Sequence, residues 1–213
     1  MSKSAGTLLS AEEMSDAFDV DLIRFYFLRN INDRKDFNFT FTDFVNTVNG
    51  ELINNFGNLV NRTLAFVHSK LGGKVEPSNL TRTVIEPVCH TYEQVTELMH
   101  AGKTNQALKV AFDLVNFGNK YFDLLQPWIS IKHDEQKCRE DIYKIIYLIA
   151  NIVKICEPFI PFACKKVQNW LGVDTSKFEE FRYIEDFKLP EVEILFKRLD
   201  IKEVQEKFKK YVI

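Results

Sequence analysis

No run of this chain comes near the roughly 20 consecutive apolar residues that a membrane-spanning helix requires, and no secretory leader opens it. A soluble, cytoplasmic protein is expected. Cysteine is scarce and unpatterned. Cys89, Cys138, Cys156 and Cys164 form no CxxC pair and have no His at ligand spacing, so no metal site is expected. They read as buried free thiols of a reducing compartment. Missing too are a nucleophile elbow, a Gly-rich phosphate loop and an HExxH pair. The 4 His stand apart from one another, and His68 and His90 read as surface or packing residues. Excess positive charge is also lacking: 28 Lys and Arg against 30 Asp and Glu give −2. That balance excludes indiscriminate coating of nucleic acid, which needs many phosphate contacts at once, and leaves open a local site for single-stranded bases.

What the sequence has is hydrophobic bulk, 46% of its 213 residues, with 19 Phe that imply an aromatic-packed core. The chain is organised around one long helix, Glu51 to Val67, closed by Gly72-Gly73. At about 100° per residue, Val48, Leu52, Phe56, Leu59, Val60, Leu64 and Val67 share one apolar arc. Asn54, Asn55, Asn58, Asn61 and Arg62 collect on the other side, within roughly 120°. Asn is a poor helix former because its amide competes for backbone partners, and a merely solvated face would use Glu and Lys at lower cost. Two readings stand: a polar surface, or a face that hydrogen-bonds something flat and polar such as base edges.

Before this helix, Ser10-Ala-Glu-Glu is a capping box for a short helix towards Phe18. A second short helix carries Leu22, Ile23, Tyr26 and Phe27 as its stripe. Phe37 to Phe41 reads as an extended lead-in, with Thr40 and Asp43 capping the long helix. Beyond Gly73, residues 74–86 read as a linker, followed by a helix from Val88 to His100. Asn105 to Leu125 is a strongly apolar helix stopped at Gln126-Pro127-Trp128. Asp134 to Glu157 has the cleanest periodicity, Pro158 and Pro161 break it, and Phe162 to Leu171 is a further helix. Residues 192–199 read as extended, and Asp200 to Tyr211 as a solvated terminal helix. These elements predict an all-α, antiparallel helix bundle.

Two constellations remain. Asn58 and Arg62 lie one turn apart, with Asn54 and Asn61 beside them, and combine amide groups with a planar fork of donors that can also stack. Pro127-Trp128 at a helix end is either core or a stacking surface for an unstacked base. Without more, the chain reads as a nucleic-acid reader or as a helical module that docks another polypeptide. No free-standing active site is visible.

The ordered series Met1-Ser-Lys-Ser4, Asp21-Leu-Ile-Arg-Phe-Tyr-Phe-Leu-Arg29, Phe44-Val-Asn-Thr-Val-Asn49, Asn58-Leu-Val-Asn-Arg62, Gln126-Pro-Trp128 and Leu195-Phe-Lys-Arg-Leu-Asp200 resembles the C-terminal part of the methionyl-tRNA synthetase family of class I synthetases. The NxxxR and PW elements are its specific part, since the sister bundles for leucine, isoleucine, valine and cysteine lack that pair. The resemblance implies a bundle that binds the CAU anticodon of tRNA(Met), with Asn58, Arg62 and Trp128 reading its first base and Asn54, Asn61 and Pro127 in support. It implies that Lys3, the second lysine of a KMSKS loop, helps the parent enzyme activate methionine with ATP. Ala5 stands where the family often has Arg, so that phosphate contact is absent. The Rossmann catalytic domain is not in this sequence, so the chain is expected to be an inactive piece of a larger ligase. Its expected divisions are 1–39 (KMSKS loop and stem-contact remnant), 40–187 (anticodon-binding bundle) and 188–213 (a segment that folds back, with a terminal helix).

Overall fold

The computed structural model describes residues 10–30, 39–173, 176–181, 184–185, 187–190 and 192–209. Ten α-helices appear among them: α1 Ala11–Ser15, α2 Val20–Asn30, α3 Phe41–Thr47, α4 Asn58–Leu71, α5 Arg82–His100, α6 Thr104–Leu125, α7 Pro127–His133, α8 Glu135–Cys156, α9 Pro161–Leu171 and α10 Ile201–Lys207. The all-α expectation holds. The one sheet among the described residues is a two-residue antiparallel pair, Lys74–Val75 with Phe187–Lys188.

At the centre stands α8. Its apolar stripe, Ile142, Ile145, Ile146, Ile149, Ile152, Val153 and Cys156, is buried as its spacing predicts. So are Tyr143, Tyr147, Leu148, Ala150 and Ile155 on its other sides, because α4, α5, α6, α7 and α9 all pack against it. The amide of Asn151, enclosed with them, is bonded at both atoms: Nδ2 donates to the Tyr147 carbonyl at 2.9 Å, and Oδ1 accepts the Phe181 amide at 2.8 Å.

Local signals set most helix ends. The Ser10 capping box is closed in both directions, and Thr40 Oγ1 accepts the Asp43 amide at 3.1 Å. Gly72 ends α4 at φ 65°. Three findings depart from the sequence expectations. First, α5 starts at Arg82, so Pro87 lies inside a helix expected to begin after it. The carbonyl four residues earlier, which loses its helical donor, belongs to Thr83, an exposed residue in the first turn. Second, the expected long helix changes form in its middle: α3 runs into ten residues of π-helix, Val48–Gly57, before α4 resumes. Third, Cys89 is only half-buried and its thiol donates to Glu180 Oε2 at 2.6 Å. Burial, then the Glu180 hydrogen bond and charge, push that thiol up to about 11.

A single turn of α2 secures the α8–α9 corner. Asp21 accepts from the first amides of α9, Ala163 N at 2.6 Å and Phe162 N at 3.4 Å. Arg24 donates to the carbonyls just past α8, Phe159 at 3.1 Å and Pro158 at 2.8 Å. Each charge thus matches the helix end it faces. Burial nevertheless outweighs the amide bonds and holds the Asp21 carboxyl above its ordinary 3.8. A carboxyl raised in the folded chain binds its proton more tightly there. Its stabilising contribution is therefore complete below the unfolded value and lost as pH rises through the folded one. The unfolding free energy of Asp21→Asn, relative to the parent, should accordingly climb as pH rises above about 4. Chemical denaturation at a series of pH values measures this, and a pH-independent gap between the two proteins would rule the linkage out.

Candidate nucleic-acid interface

The polar face of the long helix is not simply solvated. It divides between two neighbours. Towards α6, Asn55 Nδ2 donates to Asn116 Oδ1 at 2.8 Å, Asn58 Nδ2 to Asn119 Oδ1 at 3.4 Å, and Arg62 Nη1 to Asp123 Oδ1 at 2.7 Å. The partners are 61 residues apart in every rung, so these two stretches run in the same direction. Asn119 ties the ladder together: its Nδ2 donates to Asn55 Oδ1 at 2.8 Å and to the Asn55 carbonyl at 3.1 Å, and its own carbonyl accepts from Arg62 Nη2 at 2.7 Å. Away from α6, Asn54 Oδ1 accepts from Arg198 at 3.4 Å and Asn61 Oδ1 from the Leu195 amide at 3.4 Å.

Between the two stretches lies an open groove of about 570 Å³. One wall carries Asn54, Asn55, Asn58 and Arg62, and the other Lys109, Asp113, Asn116, Asn119 and Asp123. Arg29 and Glu51, paired at 2.8 Å, also line it. The helices come this close because α6 has no side chain at Gly118. A Cβ there would lie 2.7 Å from Leu59 Cδ2.

Trp128 does not line the groove, but one ring connects it to Arg62. The Arg62 guanidinium carbon sits 4.1 Å from the centroid of Phe122, and the Trp128 ring lies 6.0 Å from Phe122 at a tilt of 31°. Phe122 is buried, while Trp128 is 44% exposed. Pro127, buried, opens α7 as its first residue, and Gln126 before it turns the chain through the left-handed region at φ 46°. The corner therefore aims the indole outward. Arg62 is held by Asp123, Asn119 and Phe122, and its Nε is buried without a partner.

Of the residues singled out in the sequence, Asn54, Asn58 and Arg62 share the groove, and Trp128 and Pro127 stand at the corner beside it. Asn61 does not join them; it borders a separate hollow with His68 and Ile194. Lys3 lies outside the described residues. Sequence reasoning missed Asn116, Asn119 and Asp123, although their spacing of three and four marks a polar stripe on α6. Nor does anything in the sequence single out Phe122 from the other apolar residues of the 105–125 helix. No group of three His, Cys, Asp or Glu side chains among the described residues is placed to hold a metal.

Residues 1–64 match the family model described as tRNA synthetases class I (M), and residues 72–211 match the anticodon binding domain of methionyl tRNA ligase. The chain belongs to the methionyl-tRNA ligase anticodon-binding family. Methionine–tRNA ligase 1 of Bacillus cereus is 33% identical over 205 residues, which are 96% of this chain and 38% of that protein. A methionine–tRNA ligase 2 from Bacillus anthracis is 32% identical over 96% of the chain and 38% of its own length. The chain thus spans well under half the length of these curated relatives. In fold it is similar to Mycobacterium tuberculosis methionyl-tRNA synthetase bound by methionyl-adenylate, with a TM-score of 0.85 at 24% identity over 92% of this chain and 41% of that one.

Asn119 is the joint of this family member's ladder, and its truncation leaves Asn58 and the Asn55 carbonyl short of partners. Asn119→Ala should lower unfolding free energy by about 1–3 kcal/mol with helical content retained. Urea titration followed by circular dichroism reads both quantities.

Proposed function

We propose that this domain selects tRNA for methionine–tRNA ligase by reading the CAU anticodon of tRNA(Met). Residues 40–187 form the reading bundle, 1–39 the KMSKS loop and stem-contact remnant, and 188–213 the segment that folds back. Trp128 stacks on the splayed cytosine, while Asn58 and Arg62 present amide and guanidinium groups to its edges, with Asn54 alongside. The observation that carries this is the shared Phe122 ring. It brings the outward-facing indole and the held guanidinium of Arg62 to one corner of an Asn-lined groove. Arg62 suits base reading better than phosphate clamping, since Asp123 and the Asn119 carbonyl already occupy one donor on each terminal nitrogen.

In the complete enzyme, Lys3 places its ammonium against phosphate charge developing during ATP-dependent methionine activation, and a Rossmann domain supplies the rest of that site. The domain on its own forms no methionyl-tRNA. The three buried thiols and the protonated Cys89 fit work in the reducing cytoplasm.

The other reading, a face that docks polypeptide, has one observation in its favour: Asn54 and Asn61 already hold the chain's own C-terminal segment. Titration with anticodon stem-loops separates the two. Trp128→Ala and Arg62→Ala should each weaken binding of a CAU loop by about 1–3 kcal/mol, and loops with other anticodons should bind less tightly to the parent. Equal affinity for every anticodon, or unchanged binding in both variants, would defeat the assignment.

A further inference from the structure

The ten-residue π-helix from Val48 to Gly57 is the least expected element of the fold. π-Helical hydrogen bonding is rare and mostly confined to single turns, so a run of this length persists only where its surroundings hold it. Two of those holds come from the C-terminal segment. Asn49, a buried amide, grips Leu199 from both sides: its Nδ2 donates to the Leu199 carbonyl at 2.9 Å, and its Oδ1 accepts the Leu199 amide at 3.0 Å. Phe196, also buried, packs against the other end, where a Cβ on Gly57 would lie 3.4 Å from its Cδ2. A third hold comes from α6, where Asn119 bonds the Asn55 carbonyl within the same run.

This run also carries Asn54 and Asn55 into the groove. A residue turns less about the axis in a π-helix than in an α-helix. If the run relaxed to α, Asn54 and Asn55 would swing relative to Asn58 and Arg62, which already sit on α-helical backbone.

We propose that residues 195–199 act as a clasp that fixes the π register, with Asn49 as the positioning residue. The affinity of the groove for RNA then depends on contacts made on the far side of the same helix. The second half of this inference rests on the anticodon reading above; the first half does not.

Two measurements on the full chain test it separately. In hydrogen exchange without RNA, Asn49→Ala should speed exchange of the amides in 48–57 about tenfold or more, while α8 remains protected. Unchanged exchange in that run overturns the clasp. In stem-loop titration, Asn49→Ala should weaken CAU binding about fivefold, and in an Asn54→Ala/Asn55→Ala background it should cost nothing further. A loss that is fully additive, or one matched by the similarly destabilised core variant Ile149→Val, assigns Asn49 a purely structural role and overturns the coupling. Phe196→Leu is the second variant should Asn49→Ala not fold, with the same outcomes expected. If Trp128→Ala binds CAU loops as well as the parent does, the anticodon reading fails by itself, and the exchange measurement still decides the clasp.

Discussion

Close packing of α4 on α6 is the constraint from which the site follows. Leu59 occupies the space where any side chain at position 118 would begin, and Ile152 of α8 lies 3.6 Å from the same point. Three helices therefore converge where one of them has only a hydrogen to offer. At that separation, short Asn and Asp side chains span the gap on either side of the contact. Asn55, Asn58 and Arg62 meet Asn116, Asn119 and Asp123 without intervening apolar bulk. A wider spacing would leave the same groups facing water and the groove without defined walls.

Much of this architecture was legible because it is written in short-range rules. Apolar spacing located α4, α6, α8 and α9, and Thr40, Gly72 and Pro127 marked boundaries where the structure has them. The remainder depends on contacts between distant residues. Nothing local announces a π-helix between Val48 and Gly57, since its register is decided by partners near residues 119 and 199. The helix expected from Val88 begins six residues earlier and takes in Pro87, one turn from its start, near an exposed Thr83. Helical spacing gathers the Asn residues and Arg62 on one arc. Its division, with Asn61 and Asn54 on one flank and Arg62, Asn58 and Asn55 on the other, required knowing what packs on each side. Phe122 is core, and its contacts with Arg62 and Trp128 depend on which groups happen to touch its ring.

The family signature mixes two kinds of residue, and the physics separates them. Asp21 and Arg24 belong to the scaffold, joining α2 to both helix ends at the α8–α9 corner. Asn49 and the Leu195 to Leu199 stretch join the C-terminal segment to the long helix. Asn58, Arg62, Trp128 and Arg29 turn polar or aromatic surface towards the groove and its corner. A motif thus reports attachment as readily as recognition, and hydrogen-bond partners distinguish the two.

The left-handed turn at Gln126 has a consequence of its own. A residue with a side chain held at φ 46° carries about 1–2 kcal/mol of local strain, which glycine would avoid. That strain is sustained by the buried Pro127 ring on one side and by the close of α6 on the other. The start of α7 is consequently fixed by a bend that most side chains resist, and Trp128, its second residue, leaves that bend beside the Phe122 ring. A glycine at 126 would relieve the strain but widen the range of unfolded conformations, loosening a corner where two helices meet without a loop between them.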